Sequence, residues 1–233
     1  MAPNHQFDLL TGSYLFRDLA PSLVRRISAL ALVRRLRANQ VLFLKNDRGD
    51  ALYGVLKGRI RISATSPGGQ EIILDIMGPG EIFGEIALLD GMPRTADAVA
   101  MTATELMMIR RHEFLALLER EPSLAIHLLK LICKRLRALN EQIEDSAFLG
   151  VPARLAKRLL IMAQQGEQVN DGIRVRLQPS QSQLGQMLGA SRVSINKHLQ
   201  RWKKNDWISL SRGCIVIRNR AALQMIIDEG LQR

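Results

Sequence analysis

The apolar positions change period along the chain. From about Ser22 to Arg37 they recur at helical spacing, which predicts a helix there. The next segment, "ANQVLFLKNDRGDALYGVLKGRIRISATSPGGQEIILDIMGPGEIFGE", alternates apolar and polar residues. Turn signals cut it at "NDRGD", "KGR", "SPGGQ" and "GPGE". "RTADAVAMTATELMMIRR" adds two strands. Short strands at regular spacing predict a small barrel or jelly roll. "RHEFLALLEREPSL" returns to the helical period.

Pro122 and Ser123 open a longer helix, "SLAIHLLKLICKRLRALNEQIEDSAF". At 1.5 Å per residue it extends about 36 Å. Leu128, Ile132, Leu136, Leu139 and Ile143 follow one another at spacings of 4, 4, 3 and 4. That is a coiled-coil-like seam and predicts dimerisation; a helix packed only on its own domain is the alternative. "LGVPAR" reads as a hinge, with Gly150 free in conformation and Pro152 suited to a first helical turn. A helix at about Ala153–Gln165, a loop "GEQVNDG", a strand "IRVRLQ", two short helices and a hairpin complete the chain. The expected division is 1–122, 123–149 and 150–233. Phe7 and Leu9 fit either a core or an interface.

"PSQSQLGQMLGASRVSINKHLQRWKKNDWI" has the form of a helix–turn–helix. Ser180 is an N-cap, with Gln183 three residues on as in a capping box. Leu184, Met187 and Leu188 give the first helix its buried stripe, and Gly189 ends it. Ser191 caps the second helix, whose stripe is Val193 or Ile195, then Leu199 and Trp202. Arg192, Ser194, Asn196, Lys197 and Arg201 are left for its other faces. The second helix of such a pair enters a major groove. "WISLSRGCIVIR" alternates around Arg212–Gly213 and predicts a hairpin wing.

Charge agrees with that reading. The net charge of the chain is +11. Residues 150–233 carry 14 Lys and Arg against 5 Asp and Glu, while residues 1–149 carry 19 against 17. The excess is concentrated in the last third, as expected of a polyanion-binding module. Cys133 and Cys214 are far apart, which predicts a reducing cytoplasm and no disulfide framework. His5, His112, His127 and His198 form no ligand cluster, so no metal is expected. There is no membrane-length apolar run and no signal-like N-terminus. No nucleophile–base constellation appears, so an enzyme is not expected.

"FGEIALLDGMPRTA" (Phe83 to Ala96) places one carboxylate and one guanidinium on either side of a tight turn. A surface ion pair between Glu85 and Arg94 is the structural alternative to a pocket. With this motif, "FLGVPARLAKRLL" and "LGQMLGASRVSINKHL", the chain resembles over nearly its full length the bacterial cyclic-AMP receptor protein / fumarate–nitrate regulator family. The resemblance implies an α+β architecture: an N-terminal cyclic-nucleotide-binding β jelly roll, a long dimerisation helix and a C-terminal winged helix-turn-helix. It implies a homodimeric, allosteric transcription regulator that binds double-stranded operator DNA and contacts RNA polymerase.

The resemblance also implies roles. A short helix beginning at Gly84 and Glu85 holds a cyclic phosphate, with Ile86, Ala87 and Ala96 lining the approach. Arg94 and Thr95 bind the phosphate. Glu85 accepts from the ribose 2′-OH, which selects a 3′,5′-cyclic ribonucleotide. Relatives meet the adenine with a Thr-Ser or Thr-Asn pair on the long helix; the matching positions here are Leu139 and Asn140, and only Asn140 can hydrogen-bond a base. Cyclic AMP is favoured as the effector. Thr95 beside the arginine also suits cyclic GMP, and a ligand-independent regulator of the same fold is a further alternative. The DNA-reading set is Ser180, Ser191, Arg192, Val193, Ser194, Asn196, Lys197 and Arg201. Val193 stands where relatives carry a glutamate, which implies an altered half-site at that base pair.

Overall fold

Pro21 starts helix α1 (Pro21–Leu30), where its missing N–H costs nothing. The computed structural model describes residues 15–164, 166–176, 180–211 and 213–231. His5, Phe7, Leu9, Gln165, the strand end at Leu177 and Gln178, and Arg212 of the wing lie outside the described residues. The chain divides into two compact units between Leu136 and Arg137.

The first unit follows α1 with β1 (Leu32–Leu36), β2 (Val41–Phe43), β3 (Ala51–Lys57), β4 (Ile60–Thr65), β5 (Glu71–Met77) and β6 (Ile82–Phe83). A short helix α2 (Glu85–Asp90) precedes β7 (Asp97–Ala100) and β8 (Thr104–Arg110). Helix α3 (Arg111–Arg120) and the long α4 (Pro122–Phe148) follow. The strands form two four-stranded sheets, ordered β1-β8-β3-β6 and β2-β7-β4-β5, with all pairs antiparallel. This is the expected jelly roll.

The helix expected to reach Arg37 stops at Leu30. Ala31 is extended, and Leu32–Leu36 pairs with Met108–Thr104 of β8. Both periods fit "LVRRL"; the open edge of β8 decides between them. Two cores result. One is shared by the inner faces of both sheets, among them Leu36, Tyr53, Val55, Ile60, Phe83 and Leu106. The other joins the back of the first sheet to helices α1, α3 and the start of α4 through Leu52, Met107, Phe114 and Leu124. Each such side chain contributes about 1.5–3 kcal/mol by leaving water.

That second core corrects the seam on α4. Leu128 is buried in its own unit, while Leu129 beside it is 60 % exposed. Ile132 is half-buried, and Leu136, Leu139 and Ile143 are exposed. The outward stripe therefore runs Leu129, the half-buried Ile132, Leu136, Leu139 and Ile143, at spacings of 3, 4, 3 and 4.

The second unit contains the end of α4, then α5 (Val151–Ala163), β9 (Glu167–Val169), β10 (Gly172–Arg176), α6 (Gln181–Leu188), α7 (Arg192–Lys204), β11 (Ile208–Ser211), β12 (Cys214–Ile217) and α8 (Arg220–Leu231). The corner at Gly150 has no side-chain cap. It is held instead by Lys157 Nζ on Asp145 at 2.7 Å and Arg154 Nη1 on Ser146 Oγ at 3.4 Å. Residues expected as the loop "GEQVNDG" include β9, which pairs with β10. The sheet is β11-β12-β10-β9, and α8, which the apolar pattern did not single out, covers the core with Leu223 and Ile227.

Candidate nucleotide pocket and nucleic-acid interface

Strand β6 delivers Phe83 to Gly84, the residue before α2. Gly84 has φ 85°, a conformation L side chains avoid. A Cβ there would lie 2.7 Å from Arg94 Nη1, so the backbone approaches the guanidinium as only glycine allows. Ala87 is buried on α2; across from it, a Cβ added to Gly49 would meet its Cβ at 2.3 Å, so that loop is closed tightly over the helix. Ile86 is 50 % exposed, Thr95 is exposed and Ala96 is buried.

Glu85 and Arg94 are each 3 % exposed, and their neighbours differ. Glu85 forms its ion pair with Arg135 of α4, whose guanidinium also donates to the Ile82 carbonyl. Arg94 donates from Nη1 to the Gly84 carbonyl at 2.9 Å and from Nη2 to the Ala51 carbonyl at 2.8 Å. Its Cζ lies 4.3 Å above the centre of the Phe43 ring. Its carboxylate neighbour is Asp50, at 3.8 Å, and Nε is buried with no hydrogen-bond acceptor. Burial lowers the pKa of this guanidinium, opposed by the nearby Tyr53, Asp50, Glu85 and Asp47. The surface pair considered from sequence, Glu85 with Arg94, is thus replaced by two separate arrangements.

The backbone of Arg94 is fixed too. Its N–H donates to Asp47 O, and its carbonyl accepts from Asn46 N–H, both at 2.8 Å. Arg111 Nε donates to the Leu88 carbonyl at 2.7 Å and so ties the end of α2 to the start of α3. The structure thus gathers Gly84, Glu85, Ala87, Arg94 and Ala96 around α2. Asn140, also a candidate from sequence, is an exposed residue of α4 in the other unit. Arg135 escaped sequence reasoning, although a signal existed. It shares a helix face with buried Leu128 and Leu131, where a cation requires a partner.

In the second unit the capping box is formed as the sequence implied. Ser180 N–H donates to Gln183 Oε1 at 2.8 Å, and Gln183 N–H donates to Ser180 Oγ at 3.3 Å. Gly189 follows α6 at φ 58°, and Ser191 Oγ accepts from Ser194 N–H at 3.1 Å. A Cβ on Gly185 would come 2.5 Å from the Ala190 carbonyl, so this glycine lets the turn close onto α6. Ile195, Leu199 and Trp202 are buried, which settles the stripe in favour of Ile195. Val193 is 77 % exposed. Ser180, Ser191, Arg192, Asn196, Lys197 and Arg201 are exposed and Ser194 is half-buried. Burial lowers the His198 pKa, with Lys197 and Arg201 acting in the same sense. Arg218 bridges Asp206 after α7 and, at 3.3 Å, Asp171 between β9 and β10, bracing the wing from below.

Among the described residues no group of three or more His, Cys, Asp or Glu is placed to hold a metal, and no helix is long and apolar enough to cross a membrane.

A cyclic nucleotide-binding domain model matches residues 33–121, and a Crp-like helix-turn-helix domain model matches residues 153–226. These two modules in this order define a class of DNA-binding transcription regulators rather than enzymes. The chain is 30 % identical over 217 residues to the CRP-like cAMP-activated global transcriptional regulator of Mycobacterium tuberculosis, covering 93 % of this chain and 97 % of that one. It is 34 % identical over 217 residues to the cyclic AMP receptor protein of Thermus thermophilus, covering 93 % and 98 %. The crystal structure of the Thermus thermophilus catabolite activator protein aligns at a TM-score of 0.55 and 34 % identity, over 94 % of this chain and all of that one. The chain belongs to the cyclic-AMP receptor protein / fumarate–nitrate regulator family and is a cyclic-nucleotide-binding transcription regulator of it.

Proposed function

We propose that the protein is a homodimeric regulator switched by cyclic AMP to bind a palindromic operator. The observation that carries this reading is the pair of buried charges around α2. Glu85 offers an acceptor for a ribose 2′-OH, and Arg94 offers donors for a cyclic phosphate. In such a pocket a phosphate oxygen replaces the carboxylate of Asp50 beside Arg94 and supplies the acceptor that Nε lacks. Ribose binding to Glu85 competes with Arg135, so occupancy is felt by α4. The names of the Mycobacterium tuberculosis and Thermus thermophilus relatives support cyclic AMP. Exposed Thr95 and apolar Leu139 keep cyclic GMP as the second reading.

The exposed heptad stripe on α4 supports a two-helix seam between copies. Two-fold symmetry then gives a palindromic site, with α7 of each copy in successive major grooves about 34 Å apart. Ser180 and Ser191 approach the backbone, and Arg192, Ser194, Asn196, Lys197 and Arg201 supply polar contacts. The exposed Val193 offers only an apolar contact, for instance to a thymine methyl. Once on DNA, the dimer contacts RNA polymerase. The test is calorimetric titration of nucleotide-stripped protein with cyclic AMP and cyclic GMP, with Arg94→Leu as control. Micromolar binding of cyclic AMP, lost in the variant, is expected. Binding of neither nucleotide would leave a regulator gated otherwise or not at all.

A further inference from the structure

Arg94 lies on an aromatic cluster, and the sequence is poor in aromatics. Phe, Tyr and Trp make up 4 % of the chain, with six Phe, two Tyr and two Trp. Three of these ten form one cluster, and two of them face one guanidinium. Phe43, Tyr53 and Phe83 lie with ring centres 5.5–6.2 Å apart, and Tyr53 stacks on Phe83. They come from β2, β3 and β6, and Phe83 immediately precedes Gly84. Arg94 Cζ is 4.3 Å from the Phe43 centre and 5.6 Å from that of Tyr53.

A barrel core could be filled by aliphatic residues without this geometry. What the ring adds is a flat, electron-rich face under a buried cation, within the roughly 6 Å range of cation–π attraction. The carbonyls of Gly84 and Ala51 fix the outer nitrogens in the plane, and the Phe43 ring, nearer than that of Tyr53, resists tilting out of it. A guanidinium without that face keeps more freedom to tilt, which ligand binding then has to remove.

We infer that Phe43 is a positioning residue for the phosphate-binding arginine, its ring holding the Arg94 guanidinium in the plane from which it meets a cyclic phosphate. This rests on the nucleotide-binding reading given above. Phe43 touches no ligand in the scheme; it acts through Arg94. A nucleoside without phosphate therefore gains nothing from it, whereas a cyclic nucleotide does.

The experiment compares wild type, Phe43→Leu and Phe43→Tyr. Cyclic AMP and adenosine are titrated by calorimetry. The Arg94 Nε–H resonance, assigned by its loss in Arg94→Lys, is followed by arginine-selective NMR in the free proteins. Phe43→Leu is expected to weaken cyclic AMP binding about tenfold, leave adenosine binding unchanged and lower the order parameter of the Arg94 Nε–H. Phe43→Tyr is expected to restore all three readouts, which a merely disturbed core would not do. Wild-type affinity for cyclic AMP in Phe43→Leu overturns the inference, as does an equal loss for adenosine. If wild-type protein binds no cyclic nucleotide, the nucleotide reading fails and the NMR comparison still decides the positioning. A lower Arg94 Nε–H order parameter in Phe43→Leu than in wild type supports it; an equal one in both overturns it.

Discussion

Before any ligand arrives Arg94 is held by two carbonyls and a phenyl face, with one carboxylate at 3.8 Å and its Nε left without an acceptor. Each charge-assisted bond to a phosphate is worth about 1.5–3 kcal/mol, so Arg94→Leu should lower cyclic-nucleotide affinity by one to two decades or more. Arg94→Lys should retain part of it, since a lysine keeps charge but not the planar fork. Asp50 acts in the opposite sense. Its carboxylate, 76 % exposed, competes with an incoming phosphate for the same nitrogen. Asp50→Asn should raise affinity a few-fold at low salt and less at high salt, as calorimetry at two ionic strengths would show. Glu85 and Arg94 were legible because one contiguous stretch carries both. Asp50, Phe43 and Arg135 come from three other elements and carried no mark of their own beyond the inward face of Arg135.

The helix–turn–helix was written locally, and its elements show why. Ser180, Gln183, Gly189 and Ser191 satisfy or terminate helices through neighbours three or four residues away. Removing the second cap with Ser191→Ala should cost about 1 kcal/mol in thermal or denaturant unfolding of this domain. Gly185 tests tertiary closeness against propensity. Alanine would gain up to about 1 kcal/mol as a helix former. A Cβ 2.5 Å from the Ala190 carbonyl reverses that gain. Gly185→Ala should therefore destabilise the protein, by about 1–3 kcal/mol, and loosen the turn that presents α7. Strand β1 teaches the converse. "LVRRL" is compatible with helix or strand, and only the unpaired edge of β8, more than sixty residues away, resolves it.

For the molecule as a whole, the exposed stripe on α4 predicts assembly. Leu136→Glu places like charges opposite each other in a symmetric seam. Sedimentation should then show monomer, and operator affinity should collapse even though each helix–turn–helix is intact. In the wild type, operator binding should fall steeply with salt, by about 0.9 in log K per log unit of salt for each phosphate neutralised. Coupling must be mutual: operator DNA should tighten cyclic AMP binding by the same factor that cyclic AMP tightens operator binding. An operator that leaves nucleotide affinity unchanged would remove the allosteric scheme while leaving both sites standing.

By itself the sequence determined whatever depends on near neighbours or on composition. Strand alternation with turns, the long helix, the capped helix pair, the basic last third and the contiguous Gly84–Ala96 motif are all of this kind. Their energetics are settled within a few residues or by net charge. Tertiary structure decided what depends on distant partners. It sent Leu128 inward and left Leu129 exposed, because the start of α4 packs into the core it shares with α1 and α3. It turned "LVRRL" into a strand, gave Glu85 to Arg135 rather than Arg94, and gathered three scarce aromatic rings into one cluster, two of them facing the Arg94 guanidinium. A buried charge or an open sheet edge takes its partner from whichever element the fold brings within a few ångströms, and that choice is not encoded in sequence spacing.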